Sequence, residues 1–204
     1  MRRALVAGLI WGVFCGVANG IPVATTLAQM AVPWIWVAAL VAYRLASSIR
    51  QGALLGAVTL LAANITYLGI GFISRELSAQ TETAGLGFFL LWATVGLIIG
   101  PIAGVLGRWL STEPDSFRAV VMLGTVTIAE PLALWAHIDH IDAHLTFVLV
   151  ATAGVAFPLV WFSKDRRKAL SSLGLVVVLT YPVAVALEAT LIALGQVSAP
   201  MRLI

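Results

Sequence analysis

Two glutamates, Glu130 and Glu188, stand inside long apolar stretches of this sequence. A carboxylate within a membrane helix costs at least about 2.5 kcal/mol on insertion scales, so such residues are functional hypotheses by default. Removal from water favours the neutral carboxylic acid over the carboxylate. Because a neutral acid can donate a proton, the pair predicts acid catalysis on a hydrophobic substrate. The alternative is a structural role, in which each acid only holds helices together by hydrogen bonds.

Polar and aromatic residues near the two glutamates form the candidate substrate site. Asn64 and Tyr67 are three residues apart and share a helix face. Thr127 stands one turn before Glu130, and Pro131 offers no N–H to its carbonyl. Aromatic faces attract a carbocation, so this combination fits proton-initiated cyclisation of a prenylated substrate. The predicted substrate-binding residues are Asn64, Tyr67, Trp92, Thr127, Trp135 and Tyr181.

All three histidines, His137, His140 and His144, lie in one short segment with Asp139 and Asp142. In a helix they would share one face, at a spacing that suits metal ligands. The segment also falls where a polar turn between two spans is expected, and such loops are commonly rich in these residue types. We therefore predict no metal and no cofactor, with a metal site or a pH-sensing role as alternatives.

The composition explains why lipid is the expected solvent. Of the 204 residues, 61% are hydrophobic and only 10% are charged, whereas soluble domains carry about 25% charged residues. Cys15 is the only cysteine, which excludes an internal disulfide. The sequence contains no Walker-type phosphate loop and no HExxH zinc motif. It also carries no nucleic-acid signature, so we expect partners among lipids and hydrophobic small molecules.

The apolar stretches predict an all-α integral membrane protein, a seven-helix transmembrane bundle that forms a single domain over residues 1–204. The stretches are continuous rather than alternating, and lipid cannot satisfy exposed backbone groups, so each must be a helix. Prolines within several of them predict kinks around an internal pocket. The predicted spans lie at about residues 4–27, 31–46, 52–73, 84–107, 119–137, 144–163 and 169–194.

The basic residues predict the orientation of this bundle. With seven spans, all but two of the 12 Lys and Arg residues fall on one side. Because that side is normally cytoplasmic, we expect a multi-pass protein of the cytoplasmic membrane, with the N-terminus inside and the C-terminus outside. The outer side keeps only Arg75 and Arg202. The inner side holds Arg2, Arg3, Arg44, Arg50, Arg108, Arg118, Lys164, Arg166, Arg167 and Lys168.

This orientation places the two acids at one depth. Each glutamate precedes the outer end of its span by about seven residues, which is about 10 Å at the helical rise.

Two rows of glycines spaced four apart predict close helix packing, either within this chain or against a partner subunit. The first row is Gly8, Gly12, Gly16 and Gly20, and the second is Gly96, Gly100 and Gly104.

Two family resemblances follow from these residues. Trp36, Ala39, the segment Gly52-Ala53-Leu54-Leu55-Gly56, Tyr67 and Glu130 resemble a family of small uncharacterised bacterial membrane proteins. That resemblance covers most of the chain and implies no activity.

The seven-span layout and paired acids are similar to transmembrane terpene cyclases of indole-terpenoid and meroterpenoid pathways. The resemblance implies membrane-embedded acids that start cyclisation of a prenylated substrate. Glu188 in the last span matches one family acid, and Glu130 would replace another that this family has near an earlier span.

A second candidate function is that of a substrate-binding membrane subunit of a small-molecule importer, which would dock a partner through Gly8, Gly12, Gly16 and Gly20. A third is a non-catalytic structural protein.

Overall fold

The computed structural model describes residues 1–18, 22–77, 86–112, 116–135 and 141–161, with positions 174, 177 and 178. Within these residues the chain forms seven α-helices and no strand, as the continuous apolar stretches predict. The helices are α1 (Arg2–Val17), α2 (Pro22–Gln29), α3 (Ala31–Leu45), α4 (Ile49–Leu77), α5 (Leu86–Leu110), α6 (Ser116–Trp135) and α7 (Ile141–Trp161).

The first predicted span, residues 4–27, differs from the structure, which divides it into two helices. The helix α1 ends at Val17, and a new helix begins at Pro22. Proline has no N–H to continue a helical ladder, and it disfavours helical geometry at the residue before it. Its fixed φ suits the first turn of a helix, which is where Pro22 stands in α2 as described.

The turn between α3 and α4 is held by polar side chains. Gln51 accepts hydrogen bonds at Oε1 from the backbone N–H and the hydroxyl of Ser47, at 2.7 and 2.6 Å. In return, the backbone N–H of Gln51 donates to Ser48 Oγ at 3.2 Å. The bond to Ser48 satisfies one of the N–H groups that a helix start leaves without a helical partner, and the bonds from Ser47 fix the chain just before it, so this local sequence favours a helix start here.

Among the described residues, two helical segments, Ile49–Gly71 and Ala93–Leu110, are long and apolar enough to cross a membrane. Ala31–Leu45 and His144–Phe157 are shorter apolar helical segments. The chain divides into two compact units, Met1–Val120 and Val121–Ile204, and each is described by itself.

In the first unit, α4 contacts α1, α3 and α5. Its contact with α5 is made by glycines on both helices: a Cβ built on Gly100 would lie 2.8 Å from the Cα of Ala57, and one on Gly52 would lie 3.0 Å from the Cβ of Arg108. The start of α4 thus faces the end of α5, so the two helices are antiparallel. The close backbone approach predicted for this row is confirmed at Gly100 and Gly104, whereas Gly96 faces the side chain of Asn64.

The glycine row of α1 packs against the same central helix. A Cβ on Gly8 would lie 2.9 Å from the Cβ of Ala62, and one on Gly12 would lie 2.8 Å from the Cβ of Thr66. Gly16 faces Ile70 in the same way. Contacts advance along both helices together, so α1 and α4 are parallel. Gly20 lies outside the described residues.

The outward faces of the helices carry large apolar side chains. On α1 the buried residues are Ala4, Gly8, Gly12 and Cys15, while Ile10 is 66% exposed and Val17 is 74% exposed. Small residues inside and large aliphatic residues outside are the arrangement that membrane helices adopt, because lipid gives no reason to bury aliphatic side chains. The same pattern continues elsewhere, with exposed Leu40, Leu54, Ile65, Leu97, Ile98, Ile102, Leu145, Val148 and Leu149.

Arginines gather at one end of the first unit. The parallel α1 and α4 bring their first turns to the same end, and the antiparallel α5 brings its last turn there. Gly107 of α5 contacts Ala39 of α3, and Arg44 lies in the last turn of α3. This basic end therefore holds Arg2, Arg3, Arg44, Arg50 and Arg108.

Candidate functional site

Glu130 lies in α6, followed directly by Pro131. Between Ala119 and Trp135 it is the only charged residue of this helix. Its side chain is half-buried, whereas its neighbours Ala129 and Pro131 are buried. Glu130 belongs to a row of less buried positions spaced four apart on α6, which consists of Arg118, Met122, Val126, Glu130 and Leu134.

Thr127, one turn before Glu130, is buried with 4% of its surface exposed. Its hydroxyl donates to the carbonyl oxygen of Leu123 at 2.6 Å. The proton of this hydroxyl is therefore directed back along the helix rather than toward Glu130. Such a bond, together with a proline four residues later, is a common cause of helix bending. The hydroxyl of Thr127 is thus bonded within its own helix, one turn before the acid.

The helix α7 packs against α6 next to these residues. A Cβ built on Gly154 would lie 2.8 Å from Ile128 Cγ1 and 3.0 Å from the Cβ of Thr127. It would also lie 3.1 Å from the carbonyl oxygen of Gly124. Because Gly154 has no side chain, the backbone of α7 lies directly against α6 at this point. The contact therefore holds in place the helix segment that carries Glu130.

Asn64 and Tyr67 lie on α4 in the first unit and contact different helices. Asn64 is buried, and a Cβ on Gly96 of α5 would lie 2.6 Å from its Nδ2. Tyr67 is half-buried and packs edge-on against Trp34 of α3, with ring centroids 5.6 Å apart. The two predicted site residues are therefore close along α4, but one is directed at α5 and the other at α3.

An aromatic cluster joins α1, α3 and α4. The rings of Trp11 and Trp34 meet edge-on at 6.3 Å, and Trp11 stacks on Phe14 at 5.4 Å. Trp34 is only 9% exposed, and its indole N–H donates to the carbonyl oxygen of Ala28 at 2.8 Å. A position near a span end predicts an interfacial tryptophan at residue 34, but the structure places it in the core. No sequence pattern distinguishes these two environments, since the difference depends on what packs against the ring.

The remaining predicted residues have less structural description. Glu188 and Tyr181 lie outside the described residues. Trp92 belongs to α5 and Trp135 ends α6, and their side chains also lie outside what the structure describes.

The histidine segment is described only at one of its three histidines. His144 lies in α7, with its ring 6.3 Å from that of Phe147, while His137 and His140 lie outside the described residues. In the part of the chain that the structure describes, no three His, Cys, Asp or Glu residues are grouped to hold a metal ion.

Comparison with known proteins gives a family but no activity. No curated protein matches this chain, and no solved structure matches it. Residues 1–195 match the model of a family of unknown function, DUF6518. That match covers nearly the whole sequence and agrees with the resemblance to uncharacterised membrane proteins. The chain therefore belongs to the DUF6518 family.

Proposed function

We propose that this protein is a multi-span integral protein of the cytoplasmic membrane that performs acid catalysis on a hydrophobic substrate. The membrane location is supported by the apolar outer surface of the helices, with exposed Ile10, Val17 and Leu149. It is also supported by two segments of sufficient length and hydropathy to cross a bilayer. The buried threonines Thr59 and Thr125 bond their own helices at 2.8 Å, which removes their need for water.

The proposed arrangement has seven crossings with the N-terminus in the cytoplasm. In this arrangement α1 and α2 together make the first crossing, since α1 alone extends about 24 Å against a hydrocarbon core of about 30 Å. The orientation is supported by the basic end of the first unit, because arginines accumulate on the cytoplasmic side of membrane proteins. It is also supported by the parallel course of α1 and α4, which an intervening single crossing by α3 requires.

Glu130 carries the catalytic part of the proposal. It is a half-buried glutamate in the second half of α6, a helix that is otherwise uncharged from Ala119 to Trp135. Acids at such positions usually serve a cavity, a proton path or a substrate. We propose Glu130 and Glu188 as the acid pair. Asn64, Tyr67, Trp92, Thr127, Trp135 and Tyr181 remain the proposed substrate-contacting residues.

The proposed reaction is cyclisation of a prenylated substrate by proton transfer. The O–H bond of the carboxylic acid breaks, and its proton bonds to a terminal alkene carbon or an epoxide oxygen. The resulting cation is attacked by the π electrons of the next alkene, which forms a carbon–carbon bond. Loss of a C–H proton from the final cation to the carboxylate restores the acid, so the product is an isomer of the substrate. Aromatic faces stabilise the cation during these steps.

The importer alternative receives less support. The glycines that would dock a partner, Gly8, Gly12 and Gly16, contact α4 of the same chain. A partner would therefore need another face of α1. If Glu130 has only a structural role, its substitution should lower stability, whereas a catalytic role predicts loss of turnover. The following experiment measures both.

The test uses the full chain in membranes with a farnesyl-substituted aromatic compound and its terminal epoxide as probes. Cyclised isomers are measured by liquid chromatography and mass spectrometry. We expect the Glu130→Gln and Glu188→Gln variants to lose turnover about 10²- to 10⁴-fold, the usual contribution of a general acid. Glu82→Gln, in the stretch between α4 and α5, is the matched control and should retain wild-type turnover.

Thermal unfolding of each variant completes this experiment. Loss of turnover with unchanged unfolding temperature supports catalysis. Unchanged turnover in both glutamine variants contradicts it, as does the absence of cyclised isomer from the wild-type protein with either probe. If the wild-type protein turns over neither probe and the two glutamine variants unfold at a much lower temperature than the wild type, the structural role is favoured.

A further inference from the structure

A groove of about 430 Å³ lies along the first turns of α1. Its described lining consists of two arginines at the start of the helix followed by aliphatic residues: Arg2, Arg3, Val6, Ala7 and Ile10. The volume falls within the range of about 300–1,000 Å³ that is typical of small-molecule sites. The groove thus has a cationic end and an apolar wall.

We propose that this groove binds one anionic phospholipid of the cytoplasmic leaflet. The guanidinium groups of Arg2 and Arg3 suit a phosphate, because arginine presents a planar fork of donors that matches phosphate oxygens. Val6, Ala7 and Ile10 then face the acyl chain. This proposal rests on the membrane location and is independent of acid catalysis at Glu130.

The free face of α1 continues the apolar wall beyond the groove. Val13 and Val17 are 46% and 74% exposed. From Arg3 to Val17 the helix rises about 21 Å, whereas one leaflet of a bilayer contributes about half of the 30 Å hydrocarbon core. The helix is therefore longer than one acyl chain, so the whole acyl chain can lie along α1 while the phosphate of the lipid stays at the arginines.

The charges around the groove favour an anion over a protein partner. Neither Arg2 nor Arg3 forms an ion pair with an acid within the described part of the chain. The opposite face of α1 is occupied by α4 through Gly8 and Gly12, so the helix has one face for protein packing and one for lipid. Anionic lipids are enriched on the side where the basic end of the unit is proposed to lie.

The test measures lipid retention on the full, purified and delipidated chain by native mass spectrometry. The probes are phosphatidylglycerol and phosphatidylcholine with identical acyl chains. We expect retained phosphatidylglycerol on the wild-type protein and about tenfold less on the Arg2→Gln/Arg3→Gln double variant, because charge-assisted hydrogen bonds are lost. The matched control is Arg44→Gln/Arg50→Gln, which removes the same charge from the same end and should retain phosphatidylglycerol as the wild type does.

A second pair of variants keeps the test decisive if removal of arginines impairs insertion. Val6→Ser/Ile10→Ser leaves every charge in place but makes the wall polar, and should also reduce retention. Leu40→Ser/Leu54→Ser changes two similarly exposed leucines on α3 and α4 and should not.

Three results would overturn the site. If both arginine double variants lose the same amount of bound phosphatidylglycerol, the lipid is attracted by the basic end in general and not by this groove. If the wild-type protein retains phosphatidylglycerol and phosphatidylcholine equally, the negative charge of the lipid plays no part in binding. Displacement of phosphatidylglycerol by inorganic phosphate alone would identify a free-anion site rather than a lipid site.

Discussion

Gly56 of α4 and Gly104 of α5 lie in backbone contact, since a Cβ built on Gly56 would lie 2.8 Å from the backbone nitrogen of Gly104. Gly56 also approaches the carbonyl oxygen of Gly100 more closely than any Cβ would permit. Side chains contribute almost nothing to this part of the interface. Stability there depends on dispersion contacts between backbones, which disappear as soon as the helices separate.

We expect Gly56→Ala to destabilise the protein by about 1–3 kcal/mol, because the new methyl group must push α5 away. Gly69→Ala is the matched control on the same helix, where no atom lies within 4 Å of the added Cβ. The control should leave stability unchanged or raise it by up to about 1 kcal/mol, since alanine favours helix more than glycine does. Thermal unfolding in detergent, followed by tryptophan fluorescence, measures both. Equal unfolding temperatures for the two variants would contradict the close contact.

Trp34 and Trp11 should respond differently to the same substitution. Trp34→Phe removes the donor to the Ala28 carbonyl and leaves that buried acceptor unsatisfied, which costs about 1–3 kcal/mol. Within the described residues, no acceptor lies in hydrogen-bonding reach of the buried Trp11 Nε1. Trp11→Phe therefore loses only ring packing and removes an unsatisfied donor, so its effect on unfolding temperature should be smaller. A larger effect at Trp11 would contradict this hydrogen-bond pattern.

The proposed orientation predicts which side of the membrane each connection faces. Cys15→Ala gives a background without cysteine, and Cys15 is fully buried, so a small residue is the suitable replacement. In that background, Ser47→Cys, between α3 and α4, should react with an impermeant maleimide only after cells are opened. Gln80→Cys, between α4 and α5, should react in intact cells. Reversed labelling of the two variants would contradict the N-terminus-inside orientation, and labelling of both from one side would contradict the number of crossings between them.

Several features of the fold follow from local chemistry and were predictable. The helical class follows from the long continuous apolar stretches, which lack the alternation of apolar and polar residues typical of half-buried strands. The contact of Gly100 and Gly104 with another helix follows from their spacing, which leaves a groove on one side of α5. By contrast, the end of α1 at Val17, inside the predicted span 4–27, was open, since a proline such as Pro22 either kinks a helix or stands near the start of a new one.

The sequence by itself determined the helical class, the glycine rows of α1 and α5 and the isolation of Glu130 in an apolar helix. These features can be read from the types and spacing of residues along the chain, without knowing what packs against each one. Tertiary structure alone decided that the glycines of α1 face α4, that Asn64 and Tyr67 contact different helices and that Trp34 is buried. A row of small residues or a single tryptophan fits many neighbours equally well, and only the packed arrangement of helices selects one.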